Sequence, residues 1–142
     1  MSSQAITRND LKNILNEVLP SSSTVSTWQA LATSSITLTK SSGNSTAEVT
    51  QVYTNNDWLV IDIAFTTTGT TSAGSNIWFG SMVIPYTKML NYVVENSYFN
   101  GVSISSAYGG GSSDTTLNVR ALTAVDSSTH EFGVHFRIPV QK

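Results

Sequence analysis

Two hydrophobic periods divide the chain. Leu11, Ile14, Leu15, Val18 and Leu19 recur at i, i+3, i+4, i+7 and i+8, which lays one apolar stripe along a helix. Thr7-Arg8-Asn9-Asp10 ahead of them resembles a capping box, with Ile6 and Leu11 placed as a hydrophobic staple. Pro20 disfavours helical geometry at Leu19 and closes the element. A helix of this length spans ~18 Å and is marginal by itself in water. Its stripe therefore needs a partner: its own β domain, further copies of the arm, or a larger assembly. Ser21-Ser22-Ser23-Thr24-Val25-Ser26-Thr27 has the composition of a tether that holds the arm away from the body.

From residue 34 the period becomes two. Alternation predicts strands at Ser35–Thr39, Ala47–Tyr53, Trp58–Thr66, Ile77–Ile84, Leu90–Asn96, Gly101–Ala107, Thr115–Leu122 and Phe132–Val140. Ser42-Gly43-Asn44, Asn55-Asn56-Asp57 and Gly109-Gly110-Gly111 supply the breaks, with residues that tolerate positive φ. The expected fold is all-β, a jelly-roll-like antiparallel sandwich of about eight strands with a short N-terminal helix. The expected division is residues 1–20 as arm, 21–33 as linker and 34–142 as head.

In an all-antiparallel sandwich each connection reverses the chain. The connections near Lys40–Thr46, Thr67–Asn76, Ser97–Asn100 and Thr123–Glu131 should lie far from the arm. Those near Thr54–Asp57, Pro85–Met89 and Tyr108–Asp114 should lie on the arm side, with the C-terminus. Trp58, Val60 and Ala64 share a face with Asp62, opposite the Leu59/Ile61/Ile63/Phe65 row. That strand is apolar on both sides and calls for a third surface, a neighbouring subunit or the arm.

Composition narrows the function. Charged residues are 11%, about half the usual ~25%, and roughly 40 of the 142 residues are Ser or Thr. Hydrophobic content of 39% is too high for a disordered chain. The net charge of −2, without a basic stripe, gives no source of phosphate-backbone binding. No cysteine is present, which removes disulfides and thiolate metal sites. Met1-Ser2-Ser3-Gln4 lacks the start of a signal peptide, and stretches such as Trp58 to Phe65 fall far short of the ~20 residues of a spanning helix. A soluble protein made in a cytoplasm, without membrane insertion, is expected.

Trp58-Leu59-Val60-Ile61-Asp62-Ile63-Ala64-Phe65 leads into Thr70-Thr71-Ser72-Ala73-Gly74-Ser75-Asn76, then Gly80-Ser81-Met82-Val83-Ile84-Pro85. Later Thr116-Leu117-Asn118-Val119 precedes a closing aromatic strand. Over about residues 47–142 this resembles the head domains of tailed-bacteriophage fibre, baseplate and head-fibre proteins. The resemblance implies a trimeric β-sandwich on the virion. Its head would bind host-surface saccharide or protein, and its N-terminal part would fix it to baseplate, tail or capsid. Leu11, Ile14, Leu15, Val18 and Leu19 are then the oligomerisation and attachment residues. The chain lacks the β-prism or extended coiled coil of longer members. Capsid decoration without a receptor and a stand-alone carbohydrate-binding module are the alternatives.

Catalytic chemistry finds little support. His130 and His135 point to opposite faces if both lie in one strand, which makes no zinc pair. Glu48, Asp57, Asp62, Asp114, Asp126 and Glu131 show no paired spacing, although a glycosidase pair can assemble from separate strands. Asn55-Asn56-Asp57 reads as a turn, since it lacks the 12-residue calcium loop. No enzyme activity, cofactor or metal is expected. Trp28, Trp58, Trp78 and the five tyrosines are candidates for core packing or for sugar stacking. The candidate ligand residues are Tyr98, as an exposed aromatic, with Asn76, Asn100, Asp126 and His130 as hydrogen-bonding partners for hydroxyls.

Overall fold

The computed structural model describes residues 27–89, 93–95, 103–109 and 114–141. The expected helical arm lies outside these residues. The described chain is all-β and folds into two antiparallel sheets. Its strands are β1 Gln29–Ala30, β2 Thr37–Ser42, β3 Ser45–Thr54, β4 Trp58–Thr67, β5 Asn76–Val83, β6 Thr87–Lys88, β7 Val93–Glu95, β8 Ile104–Tyr108, β9 Thr116–Ala121 and β10 His130–Gln141. The larger sheet runs β1-β3-β4-β10-β6 with β7 also on β10, and the smaller runs β2-β5-β9-β8.

All eight expected strands are found, and β1 and β6 are additional. Two-residue strands carry no readable period. Gln29 and Ala30 pair with Thr54 and Tyr53, and Leu31 N–H donates to the Val52 carbonyl at 2.9 Å. The larger sheet thus takes in residues that composition assigned to the 21–33 linker, and the β unit begins by Gln29.

The alternating rows pack as their period requires. Leu59, Ile61, Ile63 and Phe65 of β4 and Phe132, Val134, Phe136, Ile138 and Val140 of β10 are buried between the sheets. They face Trp78 and Met82 of β5 and Leu117, Val119 and Ala121 of β9 in one continuous core. Phe65 stacks on its cross-strand partner Phe132 at 5.0 Å between centroids and meets Trp78 of the other sheet edge-on at 6.2 Å. A buried hydroxyl pair satisfies itself: Ser45 Oγ and Thr67 Oγ1 lie 2.6 Å apart.

The turns follow their residues. Asn55 Oδ1 accepts from the amides of Asp57 (3.1 Å) and Trp58 (2.8 Å), and Asn56 takes φ 74°. Gly43, at φ 106°, lets β2 turn against β5, where a Cβ would sit 2.1 Å from the Ile77 carbonyl oxygen. The described turns sort to the two ends as expected; the Ser97–Asn100 connection lies outside the described residues. The turns at 43–44, 68–75 and 122–129 gather at one end. There Asn44 Nδ2 donates to the Thr70 carbonyl at 2.6 Å, and Thr71 and Val125 exchange backbone bonds of 2.9 and 2.8 Å. The chain start at β1, the 55–57 turn and the end of β10 share the other, since β1 meets Thr54 and Pro139 meets Trp58.

Phe65→Ala removes the ring that ties both sheets and should cost ~3–5 kcal/mol. Urea titration followed by far-UV circular dichroism should show a midpoint lowered by about 1 M or more with an unchanged slope. Phe65→Leu should lose clearly less.

Candidate functional site

Asp126 and His130 are brought together at the end away from the chain start. The 122–129 turn places Asp126 four residues before His130, which opens β10. His130 Nε2 lies 2.7 Å from Asp126 Oδ1, and the same oxygen accepts from the Ser128 amide at 2.8 Å. The His130 hydrogen bond first, then the Ser128 amide, hold the Asp126 carboxyl below the usual carboxylate range. This contribution is present above the ordinary Asp value and is lost as pH falls through the depressed one. The carboxylate is largely solvent-facing, so the pair orders the loop and presents a charged edge more than it stabilises the fold.

Asn76 opens β5 at the same end but in the smaller sheet, opposite Arg120 of β9. It belongs to a different surface from Asp126 and His130. Tyr98 and Asn100 lie outside the described residues, as do Leu11, Ile14, Leu15, Val18 and Leu19.

The outer face of the larger sheet carries a second polar pair. Asp62 and His135 are direct cross-strand partners of β4 and β10, with Oδ1 and Nδ1 2.5 Å apart. His135 and His130 point to opposite faces, as strand alternation requires. Next along the same face, the Arg137 guanidinium lies 4.3 Å from the Trp58 ring centroid, a cation–π contact. Beyond it Trp28 (48% exposed), Tyr53 (37% exposed) and Val60 form an apolar patch. The three tryptophans therefore divide: Trp78 is core, Trp58 lies beneath Arg137, and Trp28 is open to solvent.

Sequence reasoning missed Lys88. It is 1% exposed, at the end of the sandwich that holds β1 and the end of β10. Nζ donates to the carbonyls of Asp114 (3.2 Å) and Tyr108 (3.4 Å) and lies 4.6 Å from the Tyr108 ring centroid. These carbonyls stand at the end of β8 and just before β9, so the ammonium ties the two paired strands together there. Gly109, at φ 61°, leaves it room, since a Cβ there would sit 2.3 Å from Nζ. Desolvation lowers the Lys88 pKa, opposed by the Asp114 carboxylate. Tyr108 donates its hydroxyl to the Met82 carbonyl at 2.7 Å. Burial first, and then Asp114, raise its pKa to about 12. A lysine in a strand of two residues gives no periodic signal of burial; the one sequence clue was the glycine at 109 that leaves room for it.

Among the described residues no cluster of three or more His, Asp or Glu could hold a metal ion, and no helix is long and apolar enough to cross a membrane. The arrangement offers hydrogen-bonding and stacking surfaces.

Tyr108 keeps its proton longer in the folded than in the unfolded state. Stability should therefore be lost as pH rises from about 10 toward about 12. Lys88 acts in the opposite sense below its ordinary value of 10.5, where rising pH relieves the burial of its charge. Tyr108→Phe should flatten the alkaline loss and cost ~1–3 kcal/mol at neutral pH by leaving the Met82 carbonyl without its donor. Denaturant titrations from pH 8 to pH 12 check both effects.

Comparison of the chain with protein-family models, curated proteins and solved structures finds no match in any of the three.

Proposed function

We propose that the chain is a non-enzymatic virion appendage of a tailed bacteriophage. It forms a homotrimer whose jelly-roll-like head contacts a saccharide or protein of the host surface. Residues 6–19 anchor it to baseplate, tail or capsid. The observation that carries this reading is the separation of the two ends. The chain enters the larger sheet at β1, beside the 55–57 turn and the end of β10. The turns at 43–44, 68–75 and 122–129, with the Asp126–His130 pair, gather at the other end. An arm tethered at one end leaves the opposite loops free to meet a surface.

Two further features support it. The chain passes between the sheets at most of its connections, with β3–β4 and β8–β9 as in-sheet hairpins, which suits a roll-like head. Trp28, Tyr53 and Val60 leave an apolar patch beside the chain entry, where copies grouped around their arms would meet. A serine- and threonine-rich surface with few charges suits an interface read by hydrogen bonds.

The full chain should run as a trimer in native mass spectrometry at micromolar concentration; a clean monomer overturns the reading. Removing residues 1–20 should abolish attachment to the particle while the β-type circular dichroism of the head survives. The full chain added in excess should compete with phage for adsorption to host cells. A decoration protein would fail that competition.

A further inference from the structure

The smaller sheet turns a polar face to solvent that the Asp126–His130 end does not include. Residues opposite one another on neighbouring strands share a face. Leu117, Val119 and Ala121 of β9 point into the core, so Asn118 and Arg120 point out. Arg120 pairs with Asn76 on β5 and with Ser105 on β8, and these three form one rung. Asn118 pairs with Phe79 on β5 and Ala107 on β8, and these form the next rung on the same face. A shallow cleft of about 200 Å³ lies here, lined by Ser105, Ala107, Asn118 and Arg120 among others.

We propose that this cleft binds a carboxylate-bearing sugar, a uronic or sialic acid unit, with Arg120 holding the carboxylate. The proposal rests on the host-surface reading above and names its ligand class and site. Arg120 is exposed, and among the described residues its guanidinium has no carboxylate within ion-pair distance. Its planar donors match a carboxylate in bidentate fashion. Asn118 Oδ1 is buried and has no hydrogen-bond donor among the described residues, a deficit that a sugar hydroxyl makes good. Asn76 and Ser105 add an amide and a hydroxyl on either side of Arg120. Ala107 keeps the floor low, and half-buried Phe79 sets an aromatic ring on the same face for the C–H side of a sugar.

One cation among neutral hydrogen-bonding groups suits a single carboxylate with hydroxyls around it. With a net charge of −2 and no basic stripe, the chain has no general attraction for anions. Preference for the acid over the neutral sugar must then come from Arg120.

The test is an NMR titration of the full chain with sodium glucuronate, N-acetylneuraminate and methyl glucoside, and with a glutamate peptide as a protein-type carboxylate. Either acid sugar should bind at least tenfold more tightly than methyl glucoside. Arg120→Gln should remove at least tenfold of that affinity with the spectrum otherwise native, Arg120→Lys should keep part of it, and added salt should weaken it. Equal affinity for the neutral sugar, preference for the glutamate peptide, no binding of either acid sugar, or an unaffected Arg120→Gln variant each overturns the proposal. Adsorption to host cells separates the two ideas. If Arg120→Gln adsorbs as well as the unaltered chain, the site is wrong and the attachment reading stands; if the unaltered chain does not adsorb, the attachment reading itself fails.

Discussion

The β4–β10 pairing is the constraint on which the rest of the molecule depends. Its register runs unbroken from His130 opposite Thr67 to Pro139 opposite Trp58. Both strands bury one row completely against the smaller sheet. A slip of one residue would turn Leu59, Ile61, Ile63 and Phe65 outward and drive Asp62 and His135 into the core. Register is thus decided on the dry side, and the wet side inherits it. The meeting of Asp62 with His135, and of Arg137 with Trp58, follows from where the phenylalanines must go. The smaller sheet repeats the logic. Leu117, Val119 and Ala121 fix β9 against β5 and β8, and Asn76, Arg120 and Ser105 are carried into one rung as a result.

At three places in the interior polar groups are satisfied by protein partners. Ser45 and Thr67 bond to each other, Tyr108 donates to Met82, and the Lys88 amine donates to two carbonyls beside Gly109. A buried ammonium without those oxygens would carry an uncompensated desolvation cost. Lys88 links β6, itself paired to β10, with the β8–β9 hairpin of the other sheet. It fastens the β1 end across the sandwich, where the core row runs out.

Outside the core, four charged or titratable groups among the described residues have a defined setting. His130 and His135 each sit against a carboxylate, at opposite faces of one strand. Arg137 lies over an indole. Arg120 stands among amides and hydroxyls in the smaller sheet. Charge is sparse and the chain is rich in Ser and Thr, so recognition rests on placement of a few groups and not on a broad field.

The residue pattern by itself determined eight of the described strands. Period-two rows in Leu59–Phe65, Leu117–Ala121 and Phe132–Ile138 have one stable use, a half-buried strand, and Asn-Asn-Asp and Ser-Gly-Asn have one cheap use, a tight turn. From strand count and antiparallel reversal, the sorting of the described loops to the two ends follows. Tertiary structure decided what no local period encodes. It added β1 to the larger sheet, buried Lys88, left Trp28 exposed while sealing Trp78, and set Asn76 beside Arg120 and not beside Asp126 and His130. Those outcomes depend on which strands become neighbours. The physical reason is that alternation states which side of a strand is dry, whereas strand order, chosen by packing two sheets over one core, states whose polar side chains share the wet one.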